Sequence, residues 1–173
     1  MGKKRIKTLK IKNMKYLNKI VAQLDKWETI YKGCSQNQIK EIEEVSGNKL
    51  PECYLEFLEI MGFEMDRKAP GMRGYLVGTT VFYPSIKWLN ETWTEQLKED
   101  GGSLELPENT FVFYDHQGYL SAFFRLDEGD NPPVYGYEEG YEGDYFPKIA
   151  DSLSSFYERH LEGDKTLFSE LRN

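Results

Sequence analysis

Apolar side chains recur every three or four residues in five stretches of the chain, a spacing that places them along one face of an α-helix. The pattern predicts helices over about 14–31, 35–46, 51–61, 86–97 and 149–161. At the start of the second helix, Ser35 and Gln38 form the sequence signature of a capping box. Gly33 is expected to end the first helix, Gly47 the second and Gly62 the third.

Segments rich in β-branched and aromatic residues, separated by glycine-containing turns, predict the strands. Short strands are expected within 70–83, and a longer strand is expected over 110–114. Turns connect this longer strand to a returning strand over 119–126, and then to a further strand over 133–137. These last three strands predict an antiparallel meander.

The length of 173 residues suits one domain that can bury a substantial core. We expect a basic arm over residues 1–12 and a single domain over 13–173. No apolar run approaches the roughly 20 residues that span a bilayer. The lysines near the N-terminus are not followed by the apolar core of a signal peptide. The chain is therefore expected in the cytoplasm, with Cys34 and Cys53 as free thiols.

Charge is distributed unevenly along the chain. Residues 1–40 carry eleven Lys and Arg against two carboxylates, a balance of +9, and the other residues carry −16. The segment 127–147 contains seven carboxylates, no Lys or Arg, and interleaved tyrosines. Such a surface favours a basic protein partner and disfavours nucleic acid and anionic membranes. For the basic arm two roles stay open, packing against the acidic body and forming an accessory helix.

The acidic, tyrosine-rich segment is the candidate interface. Tyrosine supplies a large rigid contact area with a polar tip, and surrounding carboxylates steer a basic partner. The partner-binding residues are predicted to be Tyr137, Glu138, Glu139, Tyr141, Glu142 and Asp144, with Asp127 and Asp130 as charges at the rim. The alternative is an ordinary solvated strand end and loop, with tyrosines toward the core and glutamates outside.

Candidates for catalysis and metal binding are few. Asp115 and His116 are neighbours in a predicted turn, where adjacent side chains point apart and the aspartate bonds to its own backbone. His160 is expected to pack on the apolar side of the last helix. Two His and two Cys, scattered along the chain, form no zinc motif. We therefore predict no catalytic residues, no metal site and no cofactor.

Four short motifs occur in an order that resembles the SMI1/KNR4 family, also called SUKH. They are the segment 47–62, which begins Gly47-x-x-Leu50-Pro51, the hairpin 111–124, the strand Pro133-Val134-Tyr135, and the helix 149–156. The resemblance covers roughly residues 34–162, which is most of the chain.

The resemblance implies an α+β domain with a mixed, largely antiparallel sheet, helices packed on that sheet, and a C-terminal helix. It also implies a non-catalytic binding module. Many members of the family are bacterial immunity proteins that neutralise a cognate toxin, often a nuclease. The expected function is therefore the occlusion of a basic toxin domain by a monomeric protein. The alternative is a regulatory scaffold in cell-wall synthesis or stress signalling.

Overall fold

The computed structural model describes residues 14–73, 79–99 and 104–172. Its elements are, in chain order, α1 (Asn18–Lys26), β1 (Tyr31–Lys32), α2 (Gln36–Ser46), α3 (Glu52–Met61), β2 (Glu64–Met65), a 3-10 helix (Pro70–Met72), β3 (Thr79–Thr80), α4 (Ser85–Glu99), β4 (Thr110–His116), β5 (Leu120–Arg125), β6 (Val134–Glu138), β7 (Lys148–Ala150), α5 (Leu153–Glu162) and a second 3-10 helix (Ser169–Arg172). The α+β class expected from the sequence is confirmed.

The main sheet is a five-stranded meander in the order β3-β4-β5-β6-β7, and each of its pairings is antiparallel. Strands β1 and β2 form a separate antiparallel pair. The predicted meander of β4, β5 and β6 is confirmed. In the β5–β6 pairing, Ser121 lies opposite Tyr137 and Phe123 lies opposite Tyr135, so these four side chains share one face of the sheet.

Helices α3 and α5 cover the opposite face of the sheet, which we call the α3 face. The ring centroid of Tyr54 on α3 lies 5.2 Å from that of Phe111 and 5.3 Å from that of Phe124. Phe156 on α5 meets Phe113 edge-on with 5.0 Å between their centroids. All five rings are almost fully buried. This aromatic cluster forms the main core, since burying each such side chain contributes roughly 1.5–3 kcal/mol.

Helix α4 covers the other face, which we call the α4 face. The indole N–H of Trp93 donates to the Ser121 hydroxyl at 2.9 Å, and the Trp93 ring lies 5.9 Å from that of Phe123. The Asn90 side chain accepts the backbone N–H of Val112 at 2.9 Å and donates to its carbonyl at 2.8 Å. These bonds fasten α4 to β4 beside the irregularity between Val112 and Tyr114. These bonds fix the position of α4 over the α4 face.

Local signals start and end most helices as predicted. Ser35 and Gln38 form both hydrogen bonds of the capping box on α2, which ends at Gly47. Helix α3 ends at Gly62. The start of α1 is held from outside, because the Glu56 carboxylate on α3 accepts the backbone N–H groups just before the helix.

Three predicted helix boundaries are wrong. Helix α1 begins at Asn18 rather than near Met14, it ends at Lys26, and Gly33 does not cap it. Gly33 lies instead where the chain passes α3 so closely that a Cβ would stand 1.7 Å from the Glu59 carbonyl oxygen. The last helix does not begin at Ile149, which lies in β7. Ser152 provides its cap by accepting the Ser155 backbone N–H at 3.2 Å.

The two cysteines are buried free thiols, as expected. Burial raises the pKa of the Cys34 thiol to about 11, so this thiol stays protonated at neutral pH. The predicted basic arm over 1–12 and residues 75–77 of the short predicted strands lie outside the described residues. No helix in the described part of the chain is long and apolar enough to cross a membrane.

Candidate functional site

An open cavity of about 400 Å³ lies on the α4 face, beside Phe123 and Arg125 of β5 and Tyr135 of β6. Its volume falls within the range of about 300–1,000 Å³ that is typical of ligand pockets. The residues that line it come from four separate parts of the chain, and they are Leu104, Glu105, Pro107, Phe123, Arg125, Tyr135, Asp144, Tyr145 and Phe146.

Aromatic rings make up much of the cavity wall. Phe123 stacks on Tyr135 with 5.5 Å between centroids and meets Phe146 edge-on at 5.1 Å. Phe123 and Phe146 are buried, so they form a rigid floor. Tyr145, by contrast, is 70% exposed and is the most exposed large apolar side chain of the described residues. A solvent-facing ring beside a packed aromatic floor is a typical protein-binding feature.

Carboxylates dominate the charge around the cavity. Arg125 lines it, but its guanidinium is paired with Asp127 at 2.9 Å. Glu105 and Asp144 line the cavity and are exposed. Glu128 accepts the Tyr135 hydroxyl at 2.9 Å. The net charge of this group is negative, so the cavity attracts cations.

The environment of Tyr135 also changes the pKa of its phenol. Burial, and then the hydrogen bond to Glu128, raises the pKa of the Tyr135 phenol, so the hydroxyl remains protonated at neutral pH. The second Glu128 carboxylate oxygen and the Nε–H of Arg125 are buried, and neither has a hydrogen-bond partner within the described ranges. The cavity therefore adjoins two incompletely satisfied charged groups.

The loop from Glu139 to Pro147 contributes Asp144, Tyr145 and Phe146 to the cavity lining. Its start is held by the Glu139 N–H, which donates to the Tyr119 carbonyl at 2.7 Å, and its end by buried Phe146. Tyr141 is half-buried and folds over Gly143, where a Cβ would lie 2.1 Å from the Tyr141 hydroxyl oxygen. Because both ends and the middle are held, the exposed side chains of the loop project from a defined backbone.

The structure places the predicted interface residues in different environments. Asp144 lines the cavity. Asp127 does not line it, but it forms an ion pair with Arg125, which does. Glu139 and Glu142 are exposed on the same loop as Asp144. Of these three loop carboxylates, Asp144 is the one that the cavity lining includes.

The prediction for Tyr137 is wrong. Only 2% of this residue is exposed, and its ring packs against Trp93 and Phe146 with centroids 6.1 Å away from each. The alternation of side chains along β6 turns Tyr137 toward α4. A side chain enclosed in this way cannot contact a partner.

Two of the predicted acidic residues lie away from the cavity. Glu138 follows Tyr137 in β6 and so points to the α3 face, where it pairs with Arg172 at 3.3 Å. The Asp130 carbonyl accepts the Cys53 N–H at 2.9 Å, which fixes this turn against the start of α3. Asp130 is exposed but does not line the cavity. The acidic residues that are consecutive in sequence are thus divided between the two faces.

Sequence reasoning also missed residues that the cavity uses. Tyr145 lies in the acidic, tyrosine-rich segment, but the sequence does not show which of the tyrosines there points outward. Glu105 gives no signal, because its place beside β5 depends on the path of the chain after α4. The sequence alone could not bring this distant segment to the cavity.

The candidate catalytic pair has a structural role instead. Asp115 is buried and accepts the Gly118 N–H at 2.9 Å, the turn bond expected for it, and also the Ser121 hydroxyl at 2.8 Å. His116 points to the other side of the strand, where its Nδ1 lies 2.8 Å from the Thr79 hydroxyl. Within residues 14–73, 79–99 and 104–172, no three His, Cys, Asp or Glu side chains are grouped to hold a metal ion.

The order of these elements matches a known family. The model of the SMI1 / KNR4 family (SUKH-1) matches residues 33–159, well over half of the chain. The chain belongs to that family. The SUKH-1 match runs from just before α2 into α5, so it includes the cavity and the whole loop beside it. The resemblance seen in the sequence motifs is confirmed.

Membership of SUKH-1 sets the broad class of activity. Proteins of this family are generally non-enzymatic, and they serve as immunity-type or interaction modules that bind partner proteins. A search of the curated proteins found no match to this SUKH-1 chain. The family therefore defines a protein-binding module, and the surface chemistry of the chain has to indicate the partner.

Proposed function

We propose that this SUKH-1 protein is an immunity protein, which acts as a monomer in the cytoplasm and neutralises a basic toxin domain by covering it. The observation that carries the proposal is the open aromatic cavity with Tyr145 exposed at its edge and Glu139, Glu142 and Asp144 exposed on the adjoining loop. This surface combines an apolar anchor with negative charges around it.

A basic nuclease toxin must preserve the positive charge of its active surface. A nuclease binds phosphates with Lys and Arg, so its active surface is positive and an acidic protein competes for that surface. The chain has a net charge of −7, and the loop segment beside the cavity contains no Lys or Arg from Asp127 to Pro147. Opposite surface charges accelerate association, and the rigid aromatic contacts then slow dissociation.

The size of the surface is compatible with this role. A stable interface of standard size buries roughly 800 Å² on each partner. Tyr145 and the rim of the cavity supply a centre for such an interface, and the exposed carboxylates of the loop supply its edge. A partner bound here would cover one side of the domain and leave α3 and α5 untouched.

The proposal is tested by capture and rescue with the full chain. The tagged protein is expected to retain one basic protein from a lysate of the source organism, and this protein should carry a toxin domain. Production of that domain alone should stop growth of a host cell, and co-production of the SUKH-1 chain should restore growth. Purified chain and toxin should form a one-to-one complex.

A different set of results would contradict the proposal. Several unrelated partners of moderate affinity, none of them toxic, would favour a regulatory scaffold in cell-wall synthesis or stress signalling. Rescue that persists when the chain cannot bind the toxin would also contradict direct occlusion.

A further inference from the structure

We propose that the cavity on the α4 face is a binding site for a single cationic side chain, an arginine of the protein partner. The inference deepens the proposed function and rests on it, since it identifies the chemical group by which a basic partner is anchored. It follows from the residues that line the cavity and from the balance of charge around them.

The wall chemistry suits a guanidinium group. Four of the nine lining residues are aromatic, and Tyr145 stands largely in solvent at the edge of the cavity. Cations bind over aromatic faces, and such a contact contributes about 0.5–1 kcal/mol at exposed sites. The arginine side chain is planar and weakly hydrated, so it stacks on aromatic rings better than the compact ammonium of lysine.

The charge around the cavity also selects a cation. Arg125, the basic residue of the lining, is compensated by Asp127 at 2.9 Å. Glu105 and Asp144 remain at the wall without an ion-pair partner within the described ranges. Glu128, bonded to Tyr135, adds a third negative charge next to the cavity. An anionic group entering here would be repelled, and a purely apolar group would make no use of the carboxylates.

The form of the cavity supports one inserted side chain rather than a flat contact. Phe123, Tyr135 and Phe146 form a floor in which the Phe123 ring contacts the other two, and the 104–107 segment and Tyr145 contribute to the rest of the lining. A cavity of about 400 Å³ admits one long side chain with room to orient its charged end. Anchors of this kind, set into a pocket near the centre of an interface, are common binding hot spots.

The test uses two peptides that differ in charge and hardly at all in shape. The probes are acetyl-Gly-Arg-Gly-amide and the same peptide with neutral citrulline in place of arginine, titrated into the full isotopically labelled chain. Weak binding of the arginine peptide is expected to shift amide NMR signals of residues 104–106, 123–125, 135 and 144–146. The citrulline peptide is expected to give much smaller shifts at the same residues.

Three variants sharpen the test. Tyr145→Ala and Asp144→Asn should each lower the affinity for the arginine peptide by about two- to fivefold. This is the range for losing one exposed cation–π or ionic contact. Glu44→Gln, which removes an exposed carboxylate from α2, should leave its affinity unchanged. Unaltered thermal midpoints would show that all three variants are folded.

The inference is overturned if both peptides bind equally, if the shifts map outside the cavity, or if the Tyr145 and Asp144 variants bind like the parent. Because the probe is a peptide, this result does not depend on the identity of the partner. Arginine binding in the cavity without any basic toxin partner would support the inference and refute the proposed function. A toxin partner that binds the Tyr145 and Asp144 variants as tightly as the parent would support the proposed function and overturn the inference.

Discussion

The ring of Tyr137 meets the indole of Trp93 edge-on, with 6.1 Å between centroids and 88° between planes. This contact joins β6 to α4 and encloses one of the tyrosines of the acidic segment. The exposed aromatic side chain beside the cavity is therefore Tyr145, ten positions after Tyr135 in the chain. Tyr137 therefore contributes to the packing of the core, and Tyr145 is available at the surface for binding.

Replacing Tyr137 should affect stability, and replacing Tyr145 should affect binding. Tyr137→Ala is expected to lower the free energy of unfolding by about 3–5 kcal/mol, since it leaves a cavity against Trp93. Tyr145→Ala is expected to change it by less than about 0.5 kcal/mol, because the side chain is 70% exposed. Urea denaturation of both variants measures the difference. Equal losses of stability would contradict the assignment of Tyr137 to the core.

A carboxylate on one helix is expected to stabilise the start of another. Glu56 on α3 accepts the backbone N–H groups of Lys15, Tyr16 and Leu17 at 2.6, 3.0 and 3.0 Å, so it caps the approach to α1. Glu56→Ala should lower the free energy of unfolding by about 1–2 kcal/mol, the usual effect of losing a helix cap.

The matched control for this change is Glu44→Ala, which removes an exposed glutamate from α2. Its effect on the free energy of unfolding should stay within about 0.5 kcal/mol. Hydrogen exchange should also speed up selectively at Ile20, Val21 and Leu24 in the Glu56 variant. Unchanged exchange at these amides would show that Glu56 does not hold α1.

Acidification should destabilise the fold through His160. Its ring stacks on Phe156 at 5.6 Å and lies edge-on to Tyr114 at 5.2 Å. Burial, and to a smaller extent the nearby His116, lowers the pKa of the His160 imidazole to about 4. In the unfolded chain this pKa is about 6.5. Between these values the unfolded state binds more protons, so stability is full above about pH 6.5 and falls as the pH drops toward 4.

The measurement is the free energy of unfolding as a function of pH for the parent and for His160→Gln. The variant should show a smaller decrease between about pH 6.5 and 4. Lys40→Gln, a change at an exposed site of α2, serves as the control, and its slope in that range should stay close to that of the parent. A parental slope in the His160 variant would contradict a buried neutral imidazole.

Much of the fold could be predicted from local sequence. The capping residues Ser35 and Gln38 identified the start of α2, because a cap depends on a few neighbouring residues. The β4–β5–β6 meander followed from short turns between apolar strands. Strand β7 was missed, since three residues are too short for a pattern and Ile149 also fitted the spacing of α5.

The cavity could be predicted only in part, and the reason lies in the geometry of strands. Alternation places Tyr137 and Glu138 on opposite faces of β6, but it does not show which face α4 covers. The charge of the loop was visible in the sequence and remains at its surface in Glu139, Glu142 and Asp144. Glu105 and Arg125 join the cavity through tertiary packing, which no local pattern encodes.

We expect the carboxylates beside the cavity to steer a basic toxin onto this surface. The association rate constant of the purified chain and toxin, measured over about 50–300 mM salt, tests this steering. The test variant combines Glu139→Gln, Glu142→Gln and Asp144→Asn. Its control combines Glu44→Gln, Glu95→Gln and Glu162→Gln, which changes the net charge equally at exposed sites outside the cavity lining. The account predicts that the test variant associates about tenfold more slowly at low salt with a flatter salt dependence, and that the control stays near the parent. Equal rates for the two triple variants would contradict it.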